Sequence, residues 1–230
     1  MEEVKGTFYC VGVGPGDPEL MTLKGVRTLE RCPVIAAPCT KGGEMLALDI
    51  ARGAVELEDK IILPISFSMT RDAAKRKAEY EAGARAIAGY LAAGRDVAMV
   101  NLGDVSIYAT CGRMIELVKE KGFSAVMIPG VPSFCAVAAR LGESLTADNA
   151  PLHIFPAGDT ALDEALRLHG TKVLMKSGRQ LPGVIDALER AGTLDRAALA
   201  ENCGLPGERV VNPLNRETQS GYFSTIVIKE

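Results

Sequence analysis

Short apolar runs alternate with longer amphipathic stretches along the first part of the chain. The clearest helical pattern is the stretch where Tyr80, Ala84, Ile87 and Leu91 recur at spacings of three and four residues. The short apolar runs predict strands at 7–13, 34–37, 60–64, 96–102 and 125–128. The longer amphipathic stretches predict helices at 23–32, 45–55, 72–93, 110–121 and 133–141. Strands that alternate with helices predict an α/β domain with a largely parallel sheet covered on both faces.

The pattern changes after a polar, turn-rich stretch at 141–150, which we interpret as a linker. Beyond it, strands are predicted at 152–156, 172–176, 197–201, 208–211 and 222–228, and helices at 160–169 and 181–191. The last three strands follow one another without intervening helices, which favours a mixed α+β domain with antiparallel pairs. We therefore predict two domains, an N-terminal α/β domain at 1–143 and a C-terminal mixed α/β domain at 150–230.

Composition and charge narrow the classes of partner. With 47% hydrophobic and 24% charged residues in a chain of 230, a sizeable core is expected. The net charge of −3 provides no basic stripe for nucleic acid and favours no anionic membrane surface. No apolar run approaches the ~18 residues of a membrane span, and no leader pattern begins the chain. We expect a cytoplasmic protein without a nucleic-acid or membrane partner.

Metal and disulfide chemistry are also disfavoured. The six cysteines include no C-x-x-C pair, and several lie in apolar runs, where a buried thiol is the usual state. The two histidines fall on different predicted elements. We expect no protein-bound metal and no structural disulfide.

A glycine-rich loop, GVGPGDP at 12–18, follows the first predicted strand. A dinucleotide fingerprint would need a glycine where Asp17 stands, and Pro15 and Pro18 interrupt the helix that such a motif opens. A phosphate loop would need a lysine that is not present. The loop either binds a different ligand through its backbone or is simply a tight turn at the end of a strand.

Two further loops end strands in the same half, NLGDVSIY at 101–108 and PGVPS at 129–133. The carboxyl ends of parallel strands meet at one edge of a sheet, where ligands bind. The three loops together therefore predict a site made chiefly of backbone groups. Asp104 is the one acid of the second loop, and it serves either the site or the cap of the following turn.

Three segments carry a resemblance to a known family. VGVGPGDPELMTLKG at 11–25, NLGDVSIY at 101–108 and PGVPSF at 129–134 resemble the tetrapyrrole methylase family, whose members transfer the methyl group of S-adenosylmethionine. ISFSMTRD at 65–72 looks like the subgroup that methylates C20 of precorrin-2 or cobalt-factor II in cobalamin biosynthesis. The match covers essentially the whole chain in motif order.

The resemblance implies a two-domain tetrapyrrole methylase fold with the cofactor between the domains, in a homodimer. The cofactor is S-adenosylmethionine, and the product formed from it is S-adenosylhomocysteine. Carried over by position, the cofactor contacts are Pro15, Leu102, Gly103, Asp104, Ile107, Pro132, Ser133, Met175, Asn202 and Leu214.

The substrate and catalytic candidates rest on the same resemblance and on charge. A tetrapyrrole with eight carboxylates needs cations, for which Arg71, Lys176 and Arg179 are candidates, although each is alternatively a solvated surface charge. Tyr108 packs either on a ligand or in the core. Asp104 and Lys176 are the catalytic candidates. Asp104 either accepts the proton lost from C20 or orients the ring, and we place it away from sulfur, because a carboxylate there would stabilise the ground state.

Several functions compete with C20 methylation. One is methylation at another tetrapyrrole position, on uroporphyrinogen or a later precorrin. A second is methylation of ribosomal RNA ribose, which the negative net charge disfavours. A third is a tetrapyrrole-binding or carrier module without catalysis.

Overall fold

The computed structural model describes residues 4–68, 70, 72–157 and 162–230, and for Arg179 the backbone alone. The chain forms two compact units, Met1–Pro132 and Ser133–Glu230. We describe each unit separately.

A five-stranded parallel sheet with the order β3-β2-β4-β1-β5 forms the centre of the first unit. Its strands are β1 Thr7–Gly12, β2 Val34–Cys39, β3 Ile61–Ser66, β4 Val97–Asn101 and β5 Ser124–Ile128. The central strand is β4, and every one of its residues is buried. A parallel sheet with buried central strands requires cover on both faces, which the helices provide.

Four helices cover this sheet: α1 Leu23–Arg31, α2 Leu46–Arg52, α3 Ala73–Ala92 and α4 Cys111–Glu120. Asp72 is the N-cap of α3, and its carboxylate accepts hydrogen bonds from the N–H groups of Ala74 and Lys75. Ile87 and Met114 bring α3 and α4 into one core cluster with Phe8 of β1, and all three side chains are fully buried. Helices α1 and α2 contact strands β1, β2 and β4.

The second unit has a mixed five-stranded sheet with the order β6-β7-β10-β8-β9, in which β6 and β7 are parallel and the other pairs antiparallel. Its strands are β6 Leu152–Pro156, β7 Thr171–Met175, β8 Ala197–Glu201, β9 Arg209–Val211 and β10 Ser224–Ile228. Its helices are α5 Ser133–Leu141, α6 Leu162–Leu166 and α7 Leu181–Arg190. The predicted fold class, a parallel sheet followed by a mixed one, is confirmed.

Helix α5 belongs to the second unit because it packs on strand β10. The sequence pattern places this helix before the linker, in the first domain. Leu141 ends α5, and the rest of the polar stretch, 142–150, contains turns and no regular element, as its composition indicates.

Three glycines allow the backbones of the loops after β1, β4 and β5 to contact each other directly. A Cβ atom on Gly130 would lie 2.4 Å from the carbonyl oxygen of Gly103, and one on Gly12 would lie 2.6 Å from the nitrogen of Gly130. Gly14 and Gly103 exchange two backbone hydrogen bonds of 2.7 and 3.3 Å. Both have positive φ, at 79° and 72°, which glycine adopts without strain. The loop arrangement therefore depends on having glycine, which has no side chain, at these positions.

Substitution of Gly130 by alanine tests this packing. We expect Gly130→Ala to lower the free energy of unfolding by about 1–3 kcal/mol, because the new methyl group overlaps the backbone of Gly103 and Gly12. Gly89→Ala is the matched control, since Gly89 is an exposed residue of α3 and a Cβ atom there would meet open space. The control should gain up to about 1 kcal/mol. Urea unfolding followed by circular dichroism measures both, and equal stability of the two variants would contradict the packing.

Candidate functional site

The three glycine loops lie at one edge of the first sheet. Strands β4, β1 and β5 are neighbours and parallel, with Gly12 opposite Asn101 and Val11 opposite Ile128. Their carboxyl ends therefore lie side by side. The N–H of Val13 continues the ladder to the carbonyl of Asn101 at 2.9 Å. The structure brings together the three loops that the sequence places at this edge, which we call the carboxyl edge.

Asp104 joins two of these loops through both of its carboxylate oxygens. Oδ1 accepts hydrogen bonds from the N–H of Ser106 at 2.8 Å and from its hydroxyl, and Oδ2 accepts one from the N–H of Gly130 at 3.0 Å. Partial burial acts to raise the pKa of Asp104, but these hydrogen bonds outweigh it and the net pKa is lowered. The carboxylate is therefore ionised, held in place and a weak proton acceptor.

Asn101 shapes the same loop from the end of β4, although the motifs in the sequence assign it no role. Its side-chain amide donates to the carbonyls of Leu102 at 2.8 Å and Asp104 at 3.1 Å. The residue is 6% exposed. A polar side chain at the end of the apolar run VAMVN is the signal that identifies it, because buried polar groups need partners.

The other predicted contacts of the first unit differ in exposure. Pro15 is buried, Leu102, Ile107 and Pro132 are half-buried, and Gly103 is buried with its φ positive. Tyr108 is 45% exposed with a φ of 47°. A core role for Tyr108 is thereby disfavoured.

In the second unit, strand β10 begins where β7 and β8 end. Thr225 lies opposite Met175, and Ser224 opposite Glu201. Ser133 reaches this edge from the start of α5, with its hydroxyl 3.4 Å from that of Thr225. Ser133 and Met175 are thus both next to Thr225, and Lys176 and Asn202 follow directly after the ends of β7 and β8.

Lys176 and Asn202 both have left-handed backbone conformations, with φ of 59° and 52°. The N–H of Asn202 donates to the carbonyl of Phe223 at 2.9 Å. Lys176 is exposed overall, but neighbouring protein desolvates its ammonium group and lowers its pKa. Strands β7 and β8 flank β10, and uncommon backbone conformations of this kind at strand ends are typical of functional positions.

Leu214 lies away from this group. Its N–H donates to the carbonyl of Ala197 at 2.8 Å, at the start of β8, whereas Asn202 follows the end of that strand. Four strand steps of about 3.3 Å separate the two ends. The Leu214 side chain is 3% exposed and belongs to the core of the second unit.

Two of the predicted substrate-binding cations lie beyond what the structure describes. Arg71 is outside the described residues, and the side chain of Arg179 is as well. Their roles remain predictions from the sequence.

Neither a metal cluster nor a membrane span is found in the described part of the chain. Within it, no group of three or more His, Cys, Asp or Glu side chains is arranged to hold a metal ion. In the same ranges, no helix combines the length and apolar character needed to cross a bilayer.

Two relatives align over nearly the entire chain. The cobalt-precorrin-2 C(20)-methyltransferase of Salmonella typhimurium is 30% identical, with 99% of this chain and 98% of the relative aligned. The precorrin-2 C(20)-methyltransferase of a Sinorhizobium species is 28% identical, with 97% and 95% aligned.

A solved structure and a family match complete the comparison. The uroporphyrin-III C-methyltransferase of Thermus thermophilus, complexed with S-adenyl homocysteine, has a TM-score of 0.73 at 22% identity and covers 98% of both chains. This likeness shows that the fold is shared. Residues 7–217 match the family described as Tetrapyrrole (Corrin/Porphyrin) Methylases. The resemblance noted in the sequence is therefore confirmed, and the chain belongs to the tetrapyrrole methylase family.

Proposed function

We propose that this protein is an S-adenosylmethionine-dependent C-methyltransferase that methylates C20 of precorrin-2 or cobalt-factor II in cobalamin biosynthesis. The observation that carries the proposal is the meeting of three backbone loops at the carboxyl edge of the first sheet in a chain of this family. The full-length alignment to two relatives named as C20-methyltransferases supports the methylated position.

The residues at the carboxyl edge fit a cationic methyl donor. The glycine loops at 12–18, 102–108 and 129–132 contain no lysine or arginine, and they contain the carboxylates of Asp17 and Asp104. Exposed backbone amides and carbonyls can hold the polar groups of the donor without a metal. S-adenosylmethionine supplies a methyl group already activated on a sulfonium. The task left to the chain is to hold the donor and the carbon nucleophile in line.

We infer that Asp104 acts mainly by positioning. Both of its oxygens are engaged by Ser106 and Gly130, and its lowered pKa makes it a poor proton acceptor at neutral pH. Its charge lies beside the loops that we assign to the donor, where it favours cation binding without a directed contact to sulfur. This assigns the orienting role, rather than proton removal, to Asp104.

We propose that Lys176 binds a substrate carboxylate, and that Ser133, Met175 and Asn202 contribute contacts to the cofactor. The desolvated ammonium of Lys176 supports the first assignment, because a partly dehydrated cation gains more from pairing with an anion. The common edge of the second sheet supports the others. We further propose a cytoplasmic homodimer without a nucleic-acid partner, in keeping with the family resemblance and the net charge of −3.

The reaction itself is the first test. Purified protein with S-adenosylmethionine and precorrin-2, or cobalt-factor II, should yield S-adenosylhomocysteine and a tetrapyrrole heavier by one methyl group. Mass spectrometry measures the gain, and NMR of product made from a ¹³C-methyl donor locates it. A methyl at another ring carbon would contradict the C20 assignment, and binding without turnover would favour a carrier.

Asp104→Asn separates positioning from proton removal. An asparagine nitrogen only donates, so one N–H group of Ser106 or Gly130 loses its acceptor. We expect the Kd for S-adenosylhomocysteine to rise about tenfold, the effect of losing one charge-assisted hydrogen bond.

Calorimetry at pH 7 measures this affinity, with Asp96→Asn as the control for the change of charge. Asp96 accepts a hydrogen bond from the N–H of Thr7 at the opposite end of β4, where an asparagine oxygen can still accept it. If Asp104→Asn binds S-adenosylhomocysteine with unchanged affinity but loses turnover, the positioning role is contradicted and Asp104 instead accepts the proton.

The alkaline pH dependence tests Lys176. Because its pKa is lowered from 10.5, the group loses its proton as pH rises before an ordinary lysine would. The KM for the tetrapyrrole should therefore rise at high pH, and Lys176→Arg should abolish this rise because arginine stays charged. Lys119→Arg on α4 is the matched control and should leave the profile unchanged. A KM that rises identically in all three proteins would contradict the assignment.

A further inference from the structure

The carboxyl edge of the first sheet has an outer half that the glycine loops do not occupy. Strands β2 and β3 end there, with Cys39 opposite Ser66. All five strands are parallel, so the segments after β2 and β3 emerge on the same side as the glycine loops. We call residues 40–45 and the described residues 67, 68, 70 and 72 the outer loops.

Helix α3 holds the described part of the second outer loop at two consecutive positions. Oε2 of Glu79 accepts hydrogen bonds from the N–H of Ser68 at 2.7 Å and from its hydroxyl at 2.8 Å. The ring of Tyr80, the next helical residue, packs on the ring of Phe67 with centroids 4.9 Å apart. One turn of helix therefore fixes both residues that follow β3.

Cations surround this contact. Hydrogen bonds from Ser68 lower the pKa of Glu79, and the charges of Lys75 and Lys41 lower it further. Arg76 donates from its guanidinium to the carbonyl of Thr70 at 2.8 Å. The Glu79 carboxylate is thus ionised at neutral pH, and basic side chains lie near the loop that it holds.

The charges of the two halves differ in a way that matches two different ligands. The glycine loops have carboxylates and no basic residue, which suits a sulfonium donor. The outer loops contain Lys41, Glu44 and Asp72, and the first turn of α3 adds Lys75 and Arg76 next to them. These cations, which the glycine loops lack, suit the carboxylates of a tetrapyrrole. Polar backbone groups and half-buried side chains in a fixed loop favour binding, because little conformational entropy is then lost.

We propose that Glu79 is a positioning residue for the tetrapyrrole: its carboxylate holds the Phe67–Ser68 segment, so that the outer loops and their basic residues are arranged for substrate carboxylates. This inference rests on the proposed function, and it assigns the residue to substrate affinity rather than to methyl transfer. Glu79 itself does not touch the reacting atoms.

The test compares Glu79→Ala with Glu81→Ala on the same helix. Glu81 lies 3.9 Å from both Lys77 and Arg85 and holds no loop, so it controls for loss of one carboxylate. Binding of uroporphyrin III, a stable octacarboxylate macrocycle, is measured by fluorescence titration, and S-adenosylhomocysteine binding by calorimetry. Steady-state kinetics with precorrin-2 gives KM and kcat.

For Glu79→Ala we expect about a tenfold rise in the macrocycle Kd and in the precorrin-2 KM, with kcat and the S-adenosylhomocysteine Kd unchanged, from loss of the charge-assisted hydrogen bonds. Glu79→Gln retains an acceptor oxygen and should fall between wild type and alanine. Ser68→Ala removes one of the two hydrogen bonds and should also be intermediate, which keeps the test decisive if Glu79→Ala does not fold. Glu81→Ala should match wild type.

Macrocycle affinity within twofold of wild type in folded Glu79→Ala would overturn the inference, and so would unchanged affinity in both Glu79→Gln and Ser68→Ala. So would an equal loss of affinity for both ligands, which would indicate a general structural role. If the wild-type protein fails to methylate precorrin-2 and cobalt-factor II, the proposed function fails, whereas the macrocycle titration still decides the role of Glu79.

Discussion

The backbone contact among Gly12, Gly103 and Gly130 is the constraint on which the candidate site depends. Adjacent parallel strands lie about 4.8 Å apart, and the loops that leave them ordinarily diverge as side chains fill the space between them. Here glycine has no side chain to fill that space, so the loops meet, and Gly14 and Gly103 pair through backbone hydrogen bonds. Asp104 then fastens the second loop to the third through the N–H of Gly130. The result is a rim of backbone groups in fixed positions, with an ionised carboxylate among them.

This arrangement explains how a chain poor in histidine, with no metal-holding cluster among its described residues, can serve a transfer reaction. A sulfonium donor already contains the activation for methyl transfer, so fixed geometry contributes more than a strong acid or base would. The proposed roles follow the charge of each region. The glycine loops at one half of the carboxyl edge contain carboxylates and no cation, whereas Lys41, Lys75 and Arg76 lie in or beside the outer loops at the other half, and the lowered pKa of Lys176 marks a separate cation in the second unit.

The strands and helices were predictable because their signals are local. Alternation and helical periodicity depend on neighbours within a few residues, so β8 is found at the predicted residues and α5 as well. The end of a strand or helix is less certain because tertiary contacts set it. The predicted strand 222–228 begins only at Ser224, after a bend before which the Gly221 N–H donates to the Glu201 carboxylate.

The site was predictable only where a motif coincided with a strand end. The three glycine loops met that condition, and the order of the strands brought them together. Contacts between residues distant in sequence leave no such signal. The Glu79–Ser68 hydrogen bonds depend on how α3 packs after β3, and the place of Leu214 in the second core depends on where the chain passes the start of β8.

A crystal structure of the protein with S-adenosylhomocysteine tests the role of the glycine loops most directly. We predict that the ligand lies against the loops 12–16, 102–107 and 129–132, hydrogen-bonded chiefly to backbone groups, with the glycine contact unchanged. A ligand bound elsewhere, or one that forces these three loops apart, would show that the loops do not form the donor site.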